Sequence, residues 1–267
     1  MPLVKTQQSS HWYDAQGNPC YEVPYADPSK GMRKTTLGDA RKLNLYPSVT
    51  SILSVIHKPA LDAWKTEQGI LAALTDEQGK DESLDDFAKR VAQEASEVAS
   101  KAADFGTAVH YGIIDNWLAQ GVIEDIVQDC DTSAQRNAYI DWHNKNVTDV
   151  IQLEECFTNT EHGYGGKRDI FGIGKDLRPV LIDIKTTKSQ PKKKITGWVE
   201  QGMQLAAYAT VLPDNTQLLN VYLSSTEPGR LEVKDWTEDR DFLFDGFLKA
   251  AELWRWLNKY DPRKGDL

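Results

Sequence analysis

The sequence predicts an α/β fold: a central mixed β-sheet flanked by helices, with a mostly helical region ahead of it. Three observations carry that expectation. Helical periodicity dominates the chain up to residue 146. Three strand-like segments then follow closely at 149–158, 163–173 and 179–187. A helical segment at 196–211 stands between them and two further apolar runs, so one helix crosses between strands of the sheet.

Taken in order, His11 to Val23 alternates around Gly17-Asn18-Pro19 and predicts an N-terminal hairpin. Ser48 can cap a helix from Val49 to His57, and Pro59 suits the first position of a helix running to Ala73. Leu84 to Ala103 and Thr107 to Ala119 read as two helices split at Gly106, and Ser133 to Asn146 as another. After the three strands and the crossing helix, Leu218 to Ser224 and Arg230 to Val233 read as strands. Glu238 to Lys259 is a final helix carrying Phe242, Phe244, Phe247, Leu248, Leu253, Trp254 and Leu257. The expected division is a hairpin plus helical region over 1–104 and a core with a C-terminal helix over 105–267.

The chain of 267 residues, 40% hydrophobic and 27% charged, is long enough to bury a full core and ordinary in composition. No run has the length of a membrane span, and the start lacks the plan of a secretory signal. Three cysteines, Cys20, Cys130 and Cys156, show no framework spacing and suit a reducing, cytoplasmic interior. The net charge of −9 argues at first against a nucleic-acid partner. Its distribution argues otherwise. Residues 184–199 hold Lys185, Lys188, Lys192, Lys193 and Lys194 and no acid, whereas Asp76, Glu77, Asp81, Glu82, Asp85 and Asp86 crowd a distant linker. A lysine run is most often a solvated loop, but beside a phosphodiester site it is an electrostatic footprint.

The most informative segment is Leu181-Ile182-Asp183-Ile184-Lys185-Thr186-Thr187. Side chains alternate along a strand, so Asp183 and Lys185 point together, the acid able to hold a hard cation and the lysine able to orient water or steady a phosphate. Taken alone, D-x-K is most often a solvated ion pair. Upstream, Gly163-Tyr164-Gly165-Gly166-Lys167-Arg168-Asp169 suits a strand that approaches other groups closely, and the 14-residue gap to Asp183 leaves room for a turn and a return strand. Gln204 and Tyr208, four apart, share a helix face. His110 follows Gly106-Thr107-Ala108-Val109, and Glu154 and Glu155 lie on the strand preceding Asp169. Most of the tryptophans read as packing residues; Trp198, nearest the lysines, is the first to test for base stacking, although packing is the commoner use.

Read together, G-x-x-x-H, then E, then G-G-x-x-D, then I-D-I-K-T-T, then Q-L-A-A-Y resemble the PD-(D/E)XK nuclease superfamily, in its RecB-like, phage-type exonuclease branch, over about residues 100–225. The segment from Tyr46 to Trp64 resembles the N-terminal helical part of phage-type members. The resemblance implies a restriction-endonuclease-like sheet. Asp169, Asp183 and the Ile184 carbonyl would bind one or two Mg²⁺ or Mn²⁺ ions, with His110 as the metal-binding histidine. Glu154, or by a shift of register Glu155, would be the family glutamate. Lys185 would position or activate the attacking water and steady the scissile phosphate, and Gln204 and Tyr208 would support it and contact the substrate. Lys188, Lys192, Lys193, Lys194, Arg168 and Trp198 would contact nucleic acid.

This chain departs from relatives that hold an iron–sulfur cluster, since three cysteines cannot supply four thiolates. It also carries no phosphate-binding loop, so no ATP motor is expected. The implied activity is a metal-dependent DNA exonuclease serving recombination, repair or replication in a bacterial or phage-infected cell. DNA with a free end is the implied partner, alongside a single-strand-binding or annealing protein. The rivals are a structure-specific endonuclease, a catalytically silent DNA-end-binding subunit and, further off, another metal hydrolase.

Overall fold

The computed structural model describes residues 11–114 and 131–266. Expectations resting on the first residues, on Trp117 and Cys130, and on the end of a helix at Ala119 fall outside them. The chain divides into two compact units: the part up to Ile56 together with the part from Asn137 onward, and a second unit from His57 to Arg136.

The first unit begins with β1 (Trp12–Tyr13), β2 (Glu22–Pro24), β3 (Met32–Lys34), α1 (Leu37–Leu43), β4 (Tyr46–Pro47) and α2 (Val49–Leu53). The turn at Gly17-Asn18-Pro19 forms, with the Asp14 carboxylate accepting from the Gln16 and Asn18 amides. The expected hairpin is nevertheless only partly realised. Past an isolated bridge between Tyr13 and Pro19, β1 pairs with β4 and β2 pairs with β3. Ser48 caps α2 as its position predicts, its Oγ accepting from the Ser51 amide at 3.0 Å.

The second unit contains α3 (Pro59–Thr75) and α4 (Leu84–Ile113), which pack on each other. The expected split at Gly106 does not occur. Gly106 is not among the left-handed glycines, so nothing there turns the backbone out of the helix. A helical glycine costs only about 1 kcal/mol, which the flanking alanines readily offset. The acidic linker between the helices is gathered by one guanidinium: Arg90 ion-pairs with Asp76 and with Glu82. The expected boundary at residue 104 therefore lies within a helix, and residues up to Ile56 group with the sheet because β1, β4 and α2 pack there.

α5 (Ser133–Asn146) leads into the main sheet, made of β5 (Val147–Asn159), β6 (Tyr164–Gly174), β7 (Pro179–Thr187), β8 (Gln217–Ser224) and β9 (Leu231–Asp235) in that order. Neighbours are antiparallel except β7 and β8, which are parallel and joined through α6 (Val199–Ala209). Such a parallel pair needs a crossover, which α6 supplies. α7 (Arg240–Asn258) packs on α6, and the short β10 (Tyr260–Asp261) and β11 (Gly265–Asp266) close the chain. The architecture is mixed α/β with a five-stranded sheet flanked by helices. Leu181, Leu205, Leu218, Phe247, Ala251 and Tyr260 centre the core with Val49 and Ile52 of α2. Among the described residues, no helix is long and apolar enough to cross a membrane.

Buried His143 of α5 stands near the Tyr139 hydroxyl at 3.4 Å, and burial, with a smaller effect from Lys175, lowers its pKa to about 4. The unfolded chain then takes up the proton first, so stability is full above pH 6.5 and declines as pH falls toward 4. The loss should be on the order of 3 kcal/mol. Urea melts across that range should show the slope, and His143→Gln should flatten it; equal slopes would exclude His143 as the cause.

Candidate active site

The main sheet forks between β6 and β7. β6 is paired to β5 along its whole length, from Tyr164 to Gly174, and β7 to β8 from Val180 to Thr187. β6 and β7 pair with each other only over Ile170–Ile173 and Pro179–Ile182. Beyond that point the Ile184 amide has no β6 carbonyl opposite it. The Asp169 carboxylate takes the vacated role, its Oδ2 accepting from the Ile184 amide at 2.9 Å. A buried amide left unpaired would cost about 1–3 kcal/mol, so the fork and the acid belong together.

Across the sheet, the register brings four polar residues toward one row. Leu153 pairs with Ile170 and Glu155 with Arg168, which sets Glu154 level with Asp169; Ile170 pairs with Ile182, which sets Asp169 level with Asp183; Asp183 pairs with Asn220. The carboxylate oxygens of Glu154 and Asp169 approach within 4.8 Å. Glu154 holds φ at 53°, a left-handed conformation that costs a non-glycine residue roughly 1–3 kcal/mol. Register sets Glu154, and not Glu155, level with Asp169. Glu154 borders Asp169 and ion-pairs with Lys167, whereas Glu155 lies 3.9 Å from Arg168.

Asp183 is 2% exposed and tightly held. It receives the Lys185 ammonium at 2.8 Å and the Asn220 side-chain amide at 2.6 Å, and Asn220 in turn accepts from the Trp236 indole at 2.8 Å. Lys185, 27% exposed at its side chain, keeps its proton. Burial works against the ammonium, but Asp183, Asp169 and the hydrogen bond to Asp183 outweigh it and raise the pKa above the ordinary lysine value. Asp183 contacts this ammonium directly, and the charge of Asp169 adds to its stabilisation.

Tyrosines line the two acids. Tyr208 of α6 receives a hydrogen bond from the Gln204 amide at 3.0 Å, and burial first, then both aspartates, push its phenol up. Burial and Asp169 do the same to Tyr139, and burial and Asp183 to Tyr222. Two glycines let rings lie flat on β6: a Cβ at Gly166 would sit 2.6 Å from Tyr208, and one at Gly165 2.7 Å from Tyr13. That close approach is the reason for the glycine pair that the sequence displays.

The lysine loop after β7 is exposed at Lys188, Lys192, Lys193 and Lys194 and anchored from beneath. The Ser189 amide donates to Thr226, the Ile195 amide to Glu232, and Arg230 reaches the Gln190 carbonyl. Trp198, for which packing is the commoner use, is instead 56% exposed at the start of α6. Arg168 is a correction. It is 4% exposed, lies over the Phe157 ring at 5.0 Å and donates to Gln152, so it presents no guanidinium to a ligand at the surface. His110 belongs to the second unit, near the end of α4. Ile184, named for its carbonyl, contributes its amide to the Asp169 contact.

Sequence reading missed Asn220 and Trp236. Their signal was a lone asparagine in an otherwise apolar strand, Leu218-Leu219-Asn220-Val221-Tyr222-Leu223.

No family model matches the chain, and no curated protein matches it. Among solved structures, one titled "Crystal structure of SSO0001" is similar at a TM-score of 0.33 and 14% identity, over 77% of this chain and 89% of that one. A likeness at that level carries no argument about fold family or function.

Asn220→Leu should strip a partner from Asp183 and orphan the Trp236 indole, lowering stability by about 1–3 kcal/mol. An unchanged urea midpoint would show that this chain of bonds does not hold Asp183.

Proposed function

We propose that the chain is a Mg²⁺- or Mn²⁺-dependent deoxyribonuclease of restriction-endonuclease-like fold, acting on DNA from an end. The observation that carries the reading is the Asp183–Lys185 ion pair at the strand fork, with Asp169 bonded to the Ile184 amide and Glu154 beside Asp169. Carboxylate oxygens are the donors a hard divalent cation prefers, so Glu154, Asp169 and Asp183 fit it, and the Ile184 carbonyl, next to Asp183 in sequence, is the main-chain donor the motif resemblance names.

A bound divalent ion supplies an activated water and offsets charge at the phosphate. The chain supplies the rest. Lys185, beside Asp183, donates hydrogen bonds that align a water and neutralise a phosphate oxygen. Asn220 and Trp236 keep Asp183 fixed for that purpose, and the Gln204–Tyr208 pair closes the apolar side of the site. The exposed lysines at 188 and 192–194, with Trp198, form the face for phosphates and an unstacked base.

Asp183→Ala and Lys185→Ala should each reduce Mg²⁺-dependent cleavage of end-labelled DNA by about a hundredfold or more, and a chelator should abolish it. Full activity in either variant sinks the site. A covalently closed circle should survive while its linear form is degraded; cutting of the circle would replace end-dependence with a structure-specific endonuclease.

A further inference from the structure

The β6 side of the fork carries a second set of side chains. Lys167, whose side chain is 43% exposed, ion-pairs with Glu154. Next to it the Tyr13 ring lies against Gly165, the Tyr13 and Tyr21 hydroxyls are 2.9 Å apart, and the His11 ring packs on Tyr21 with centroids 4.7 Å apart. Lys34 joins this wall through β3: its neighbour Thr35 donates to the Tyr21 carbonyl at 2.9 Å, and Lys34 itself pairs with Glu22 across the ladder. Desolvation first, then the charges of Lys167 and Lys34, hold His11 below its ordinary pKa.

The ion pair between Lys167 and Glu154 is of a replaceable kind. It is partly exposed, where such pairs contribute roughly 0–1 kcal/mol. Glu154 meanwhile is fixed in its left-handed conformation beside Asp169, and two neighbouring carboxylates hold a divalent ion better than they hold one ammonium. Once Glu154 is taken, the flexible Lys167 stem is free to turn. Lys167, Lys34 and His11 then form a local excess of positive and donor groups with aromatic rings behind them. A phosphodiester complements the donors, and an adjoining base complements the rings.

We propose that Lys167, Lys34 and His11 form a phosphodiester-binding cluster that becomes available when a divalent ion displaces Lys167 from Glu154. This rests on the nuclease reading of the same site.

The probes are Mn²⁺ alone, followed by electron paramagnetic resonance on DNA-free protein, and a fluorescent single-stranded oligonucleotide titrated with Ca²⁺ in place of Mg²⁺. In Ca²⁺, Lys34→Ala and Lys167→Ala should each weaken oligonucleotide binding about threefold to fivefold and reduce the salt slope by about one. In chelator, Lys167→Ala should bind the oligonucleotide as wild type does, because the native ammonium is then engaged by Glu154. Without DNA, Lys167→Ala should bind Mn²⁺ about threefold to fivefold more tightly than wild type. The proposal is overturned if either variant keeps wild-type affinity in Ca²⁺, if Lys167→Ala weakens binding equally in chelator, or if its Mn²⁺ affinity does not rise. Wild-type protein that binds no Mn²⁺ would defeat the nuclease reading itself. Wild-type protein that binds Mn²⁺ and cleaves DNA, with either lysine variant unchanged, would defeat only the cluster.

Discussion

The hydrogen bond from the Ile184 amide to the Asp169 carboxylate is the constraint on which the site depends. A sheet ordinarily satisfies its backbone by pairing strands to their ends. Here β6 and β7 part after four residue pairs, and the separation leaves room for polar side chains in the middle of a covered sheet. An acid at the point of parting repairs the broken ladder. The same acid becomes one of the charged groups that the opening exposes. Architecture and chemistry are thus joined in a single residue.

Electrostatics at the fork are close to balanced. Asp183 holds the Lys185 ammonium, the charge of Asp169 supports it, and Glu154 holds Lys167. Neutral groups complete the arrangement, with Asn220 on Asp183 and Tyr139, Tyr208 and Tyr222 around the acids. Burial pushes each of these phenols further from ionisation, so they add dipoles but no charge. Such an environment penalises a lone charge and favours charges that arrive with partners. That is the setting in which a multivalent cation and a phosphate are mutually compensating.

Local signals in the chain were reliable where one residue type does one local job. Ser48 caps α2, Pro59 opens α3, and the apolar run at 179–187 is β7 with those bounds. They failed where the surroundings of a residue outweighed its local preference. Gly106 looked like a break and is an ordinary helical residue. The alternation from His11 to Val23 suggested one hairpin, yet its two arms found better partners in β4 and β3. Arg168 read as a surface cation and is buried over Phe157, because an arginine stem and planar head pack well on an aromatic ring. Trp198 erred in the opposite direction, toward solvent.

By itself the sequence determined which chemistry is available: two acids, a lysine two residues past the second, a glycine-rich strand before them and a lysine-rich loop after. Period-two alternation sufficed to put Asp183 and Lys185 together, since that rule is local. The tertiary structure decided which groups meet. Glu154 rather than Glu155 borders Asp169, and Asn220 secures Asp183 from a strand 37 residues away. Strand register and the place where two strands separate arise from packing over the whole sheet, and no window of sequence contains that information.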